Sequence, residues 1–161
     1  MRQWLTLPIV LIGMASCNTP METAPGKALM GSWELQEWKA IRPDGSILHP
    51  YGTDASGLLL YTQEGSMSMG LSKADKPHLG TDDYASVSDS IIRLAYTHFF
   101  SYSGGFHIEG NRVTHIIEHC KQPDWVGREL VREFEIHGNT LTIRSPEVIG
   151  ADHILTWQRK D

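Results

Sequence analysis

Hydrophobic residues along most of this chain recur at every second position, the period of a β-strand with one buried face. Ser32 to Ile41 alternates in this way, carries Trp33 and Trp38, and is closed by the turn residues Pro43-Asp44-Gly45-Ser46. Ser46 to Pro50 extends it as a short partner strand. Gly57 to Thr62 is a compact apolar run, and Gln63-Glu64-Gly65 turns it into Ser66 to Leu71, where Met67, Met69 and Leu71 share a face. Ser101 to Ile108 reads as a strand interrupted by Gly104-Gly105, a bulge or bend. Arg112 to His119, Arg128 to His137, Leu141 to Ser145 and His153 to Arg159 complete the series, with Glu109-Gly110-Asn111 and Gly138-Asn139 as tight turns.

One segment has a different period. From Asp82 to Phe99, Tyr84, Val87, Ile91, Leu94, Ala95 and His98/Phe99 fall on one helical face, predicting an α-helix over roughly 84–99. Thr81 or Asp82 is placed to cap it, and Ser86, Ser88 and Ser90 weaken its first half. About nine short strands with hairpin-length connections and one helix define an all-β, antiparallel class. Periodicity alone leaves barrel and sandwich both open.

The start of the chain follows neither pattern. Arg2 precedes an apolar run, Trp4 to Met14, which leads into Ala15-Ser16-Cys17. A positive end, a short apolar core and small residues before a cut site describe a secretory signal peptide. The run is shorter than the ~20 residues a transmembrane helix needs. The small residues ending in cysteine resemble the lipobox of bacterial lipoproteins, with Met14 where that motif more often has Leu. The resemblance implies cleavage before Cys17, lipidation of its thiol, and, with Asn18 next, an outer-membrane address facing the periplasm. The alternative is an ordinary signal peptide in which Cys17 is incidental. The expected organisation is a signal peptide over 1–16, a lipidated cysteine and flexible Pro/Gly-containing tether over 17–29, and one domain over 30–161.

Composition narrows the partners. The formal charge is −5, and no basic patch interleaved with aromatics appears, so nucleic acid is not an expected partner. Of two cysteines, one is assigned to lipid, which leaves Cys120 without an intramolecular disulfide partner.

His115-Ile116-Ile117-Glu118-His119 spells H-x-x-E-H, a zinc-protease pattern that works only on a helix. The β-branched flanks read as a strand, where residues four apart stand roughly 13 Å from each other, so no metal is expected. Arg128 to His137 is more informative. Leu130, Phe134 and Ile136 share a face with Arg132, while Glu129, Glu133 and Glu135 take the other, which turns Arg132 inward. An inward guanidinium needs an acceptor. Two stand open: a structural ion pair, with Glu118 or another inward acid, or an anionic or carbonyl-bearing ligand. Tyr61, Met67, Met69, Tyr102, Phe106 and Phe134 also fall on inner faces, as core or as pocket lining. His115 reads either as a satisfied core histidine or as a polar contact there. Trp125, in Pro123-Asp124-Trp125-Val126-Gly127, either lines a mouth or packs its loop.

Gly31-Ser32-Trp33 resembles the G-x-W signature of lipocalins, which implies a tryptophan closing one barrel end and stacking on an arginine from the last strand, here Arg159. Further stretches resemble the bacterial and fungal lipocalin-like domain family in order over residues 30–159. They include Gly57-Leu58-Leu59-Leu60-Tyr61-Thr62, Tyr102-Ser103-Gly104, Pro123-Asp124-Trp125-Val126-Gly127, Arg132-Glu133-Phe134 and His153-Ile154-Leu155-Thr156-Trp157. The resemblance implies a small antiparallel barrel of eight or nine strands with a helix inserted midway. It implies little about activity, since most members have no assigned function and some fungal relatives are associated with natural-product biosynthesis. The lipoprotein-type signal departs from most relatives and argues against a cytoplasmic role.

Three functions compete. The leading one is a tethered binding protein for a small, mainly hydrophobic ligand, held by Arg132, His115, Tyr61, Met67, Met69, Tyr102, Phe134 and Trp125 without a cofactor. It requires a cavity of about 300 Å³ or more. The second is an envelope module with a filled core. The third is an isomerase or cyclase using His115 as acid/base while Arg132 polarises a carbonyl.

Overall fold

A computed structural model describes residues 25–160. The expected signal peptide, Cys17 and the expected tether up to residue 24 lie outside them. Two helices and nine strands follow in the order α1 (Pro25–Leu29), β1 (Gly31–Ile41), β2 (Ile47–Leu48), β3 (Ser56–Tyr61), β4 (Ser66–Ser72), α2 (Asp89–Thr97), β5 (Phe99–Glu109), β6 (Arg112–Cys120), β7 (Glu129–His137), β8 (Thr140–Val148) and β9 (Ala151–Arg159).

Every neighbouring pair from β3 to β9 is antiparallel, and β1 pairs with both β3 and β9, so eight strands close on themselves. The two-residue β2 hangs on the far end of β1. Closure removes the unpaired edges that an open sheet would expose. The sandwich alternative left by periodicity is therefore excluded, and the architecture is the expected antiparallel barrel.

Two irregularities decide which side chains face inward. In β1 the register to β9 shifts between Leu35 and Glu37. Trp33 and Leu35 point inward before this bulge; after it Trp38 and Ala40 do, so the shift in parity brings Trp38 inside. In β5 and β6 the register shifts at Ser103/Gly104, where a Cβ on Gly104 would stand 2.0 Å from the Ile116 carbonyl oxygen. Only glycine admits so close an approach, which accounts for the bend expected there.

One barrel end is plugged. The Trp33 indole is fully buried, donates to the Leu29 carbonyl at 2.9 Å, and lies 4.1 Å beneath the Arg159 guanidinium. Arg159 also donates to the carbonyls of Met30, at 2.8 Å, and Ala28. These bonds fold the last five residues of the expected tether into α1, and Leu29 is completely buried as part of the plug.

The inserted helix is shorter than its periodicity predicts. Asp83 caps a single 3₁₀ turn over Tyr84–Ser86 by accepting from the Ala85 N–H at 3.1 Å, and Ser86 Oγ donates back to the Asp83 carbonyl. The chain re-extends at Val87 and Ser88, and α2 begins only at Asp89. Local serine and aspartate hydrogen bonds have replaced the first helical turns. No residue of α2 is buried, so its apolar face does not join the core.

Candidate ligand cavity

The interior is not filled. A cavity of about 250 Å³ opens at the end opposite Trp33, slightly short of the 300 Å³ expected. Large side chains account for the shortfall: Trp38, Phe100, Tyr102, Trp125 and Trp157 all project into the same barrel. Its mouth is made by the connections at that end, with Tyr51 between β2 and β3, Gln122 and Trp125 between β6 and β7, and Val148 and Ile149 at the β8–β9 turn.

The expected site residues divide. Arg132, His115, Met69, Tyr102 and Trp125 line the cavity. Tyr61, Met67 and Phe134 are buried but belong to the packed core outside the lining. Trp125 stacks edge-on against Phe100 with ring centroids 5.2 Å apart, so it both lines the mouth and fixes its loop.

The β7 alternation places Arg132 inside with Leu130, Phe134 and Ile136. Its side chain donates to the neighbouring Val131 carbonyl at 3.1 Å. Among the described residues no carboxylate lies within ion-pair distance of it, and Glu118 points outward. The structural ion pair weighed for Arg132 is therefore not formed. A half-buried guanidinium with open N–H donors faces a mainly apolar space.

His115 sits on β6, where alternation turns it inward and Glu118 outward, and the register shift opposite Ser103/Gly104 reverses the parity and turns His119 outward as well. The H-x-x-E-H residues are thus split between the two faces. His115 is 2 % exposed, and both its ring nitrogens are engaged: Nε2 lies 2.6 Å from the Tyr61 hydroxyl and Nδ1 lies 2.8 Å from the Tyr102 hydroxyl. Burial, reinforced by the positive charge of Arg132, pushes its pKa down to about 3. Burial likewise raises Tyr102 to about 12 and Tyr61 well above its ordinary value, with Arg132 opposing both. All three rings are uncharged at neutral pH.

At the rim, Trp38 Nε1 donates to His153 Nδ1 at 3.0 Å, so His153 presents Nε2–H to the Val148 carbonyl, also at 3.0 Å. This bridge ties β1 to the β8–β9 hairpin. Trp38, Tyr51, Phe100, Trp157 and His153 were not legible as lining residues. Trp38 required the β1 bulge to be seen, and the mouth is assembled from loops distant in sequence.

The model of the lipocalin-like domain family matches residues 30–160. The chain belongs to this family. No curated protein matches it. Among solved structures, this lipocalin-like domain is similar to a redesigned β-barrel (12 % identity, 84 % of this chain and 94 % of that one, TM-score 0.43). It is also similar to fatty-acid-binding protein 1 of Echinococcus granulosus (13 % identity, 84 % and 99 %, TM-score 0.41). A third is the fluorescent protein UnaG (12 % identity, 83 % and 98 %, TM-score 0.39). At this distance none of them carries a ligand or an activity over to the lipocalin-like chain.

Proposed function

We propose that this barrel is a binding protein for a small, mainly apolar ligand whose polar head meets Arg132. The observation that carries the reading is the unpaired guanidinium in an open apolar cavity. A charge taken partly out of water is disfavoured unless an acceptor compensates it, and among the described residues the protein offers it only a backbone carbonyl. Aromatic walls and Met69 suit an apolar body of variable shape.

The isomerase reading has weaker support. A histidine acting as acid/base needs a nitrogen within reach of substrate, and both nitrogens of His115 are taken by tyrosines. A filled structural core has weaker support too, given the volume left open. The apolar run and Ala15-Ser16-Cys17 favour an exported form anchored through a lipid on Cys17.

Trp38, Trp125 and Trp157 line the cavity and act as reporters. Titrating the purified protein with octan-1-ol and with octanoate should shift tryptophan emission saturably at one equivalent for at least one of them. No saturable response to either would overturn the reading.

A further inference from the structure

The cavity wall holds a chain of three polar rings whose proton positions are determined by burial. Tyr61 is 2 % exposed, does not line the cavity, and its hydroxyl has His115 Nε2 as its polar partner. Tyr102 is also buried but lines the cavity. A neutral imidazole carries one N–H, so two arrangements exist.

If Nε2 carried the proton, it would donate to Tyr61, and the Tyr61 O–H would be a buried donor with no acceptor. Leaving such a donor unmade costs about 1–3 kcal/mol. If Nδ1 carries it, Tyr61 donates to Nε2 and Nδ1–H donates to the Tyr102 oxygen. The Tyr61 hydroxyl and both imidazole nitrogens are then satisfied, and the remaining proton, on the hydroxyl of the cavity-lining Tyr102, is free to point into the cavity.

We propose that Tyr61 and His115 fix Tyr102 as a hydrogen-bond donor into the cavity on the same wall system as Arg132, so that the ligand's head is a pure acceptor with negative charge, a carboxylate. Arg132 supplies the complementary charge and a planar pair of donors, and Tyr102 supplies a third donor through its O–H. An alcohol or amine head would leave at least one of these donors, or its own protons, unpaired. His115 is a positioning residue: it acts through Tyr102 and does not touch the ligand. This inference rests on the ligand-binding reading above and narrows it to one head-group class.

The test compares octanoate, octan-1-ol and octylamine by tryptophan-emission titration at pH 7.5, in the wild-type protein and in Tyr102→Phe. Hydrogen bonds to charged groups contribute about 1.5–3 kcal/mol, so octanoate should bind at least about tenfold more tightly than octan-1-ol, and Tyr102→Phe should reduce that ratio about tenfold. Octylamine should be weakest. A long-range ¹H–¹⁵N correlation spectrum of the wild-type protein, with His115 assigned through His115→Gln, should show the proton on Nδ1. This readout stands even if Tyr102→Phe fails to fold. Equal affinity for octanoate and octan-1-ol, preference for octylamine, or a proton on Nε2 would overturn the inference while leaving ligand binding in place. No response to any of the three would remove the ligand-binding reading itself.

Discussion

The Tyr61 hydroxyl lies 2.6 Å from Nε2 of His115, joining β3 to β6 across the barrel interior. The pair is buried, and the imidazole cannot take a second proton without losing the hydrogen bond that Tyr61 donates and placing a charge near Arg132. The folded protein thus holds His115 neutral down to about pH 3, whereas an unfolded histidine protonates near 6.5.

The consequence for stability has a definite sign. Above pH 6.5 both states hold His115 neutral and its contribution is constant. Between 6.5 and about 3 the unfolded chain binds a proton the folded one refuses, so stability falls as pH falls. Between pH 7 and pH 5 the loss attributable to this residue should be about 2 kcal/mol. Urea denaturation at the two pH values should show that much less pH dependence in His115→Gln than in the wild type. Equal dependence in both would contradict the assignment.

Arg132 has no carboxylate partner among the described residues, so its removal breaks no ion pair. Arg132→Met should retain folding, with a change in stability of about 1 kcal/mol or less in either direction. Its affinity for octanoate should fall at least about tenfold. Thermal denaturation and emission titration read the two effects separately. A loss of several kcal/mol with no change in affinity would mark the arginine as structural.

Gly104 stands at the bulge where β5 meets β6. Adding a methyl group there puts Cβ 2.0 Å from the Ile116 carbonyl oxygen, against backbone that has no room to yield. Gly104→Ala should destabilise the protein by about 3 kcal/mol or more, measured by urea denaturation. Gly110→Ala is the comparison: it meets nothing within 4 Å, and φ of +61° is its main penalty, so its loss should be about 1 kcal/mol.

Ile149 and Gly150 are the central residues of the β8–β9 hairpin, and both have positive φ, +53° and +72°. A type I′ turn requires this backbone and favours Asn-Gly. A β-branched side chain there is strained, and Ile149 is 92 % exposed, so packing returns nothing. Ile149→Asn should raise stability by about 1 kcal/mol in thermal denaturation. Ile149 also stands at the cavity mouth.

The period-two alternation gave most of the barrel, because a strand with one buried face writes that face into every second residue. In β7 it turned Arg132 inward from sequence alone. It did not reveal Trp38, since a single bulged residue near Gln36 reverses the parity of the rest of β1. It overestimated the inserted helix, where serine and aspartate side chains capture backbone groups that helical periodicity would have paired. Pro25–Leu29 looked like tether because its anchoring partner, Arg159, lies at the other end of the chain. The division of the inner aromatics into cavity wall and solid core is likewise not written in the alternation. Tyr61 and Tyr102 both face inward, yet only the depth of each along the barrel axis decides which one can meet a ligand.

Native mass spectrometry of the purified protein addresses the hollow barrel and its unpaired cation together. The account predicts a species heavier than the polypeptide by one small molecule, lost on denaturation, replaceable by added octanoate and absent in Arg132→Met. A single mass corresponding to the bare polypeptide, unchanged by saturating octanoate, would contradict it.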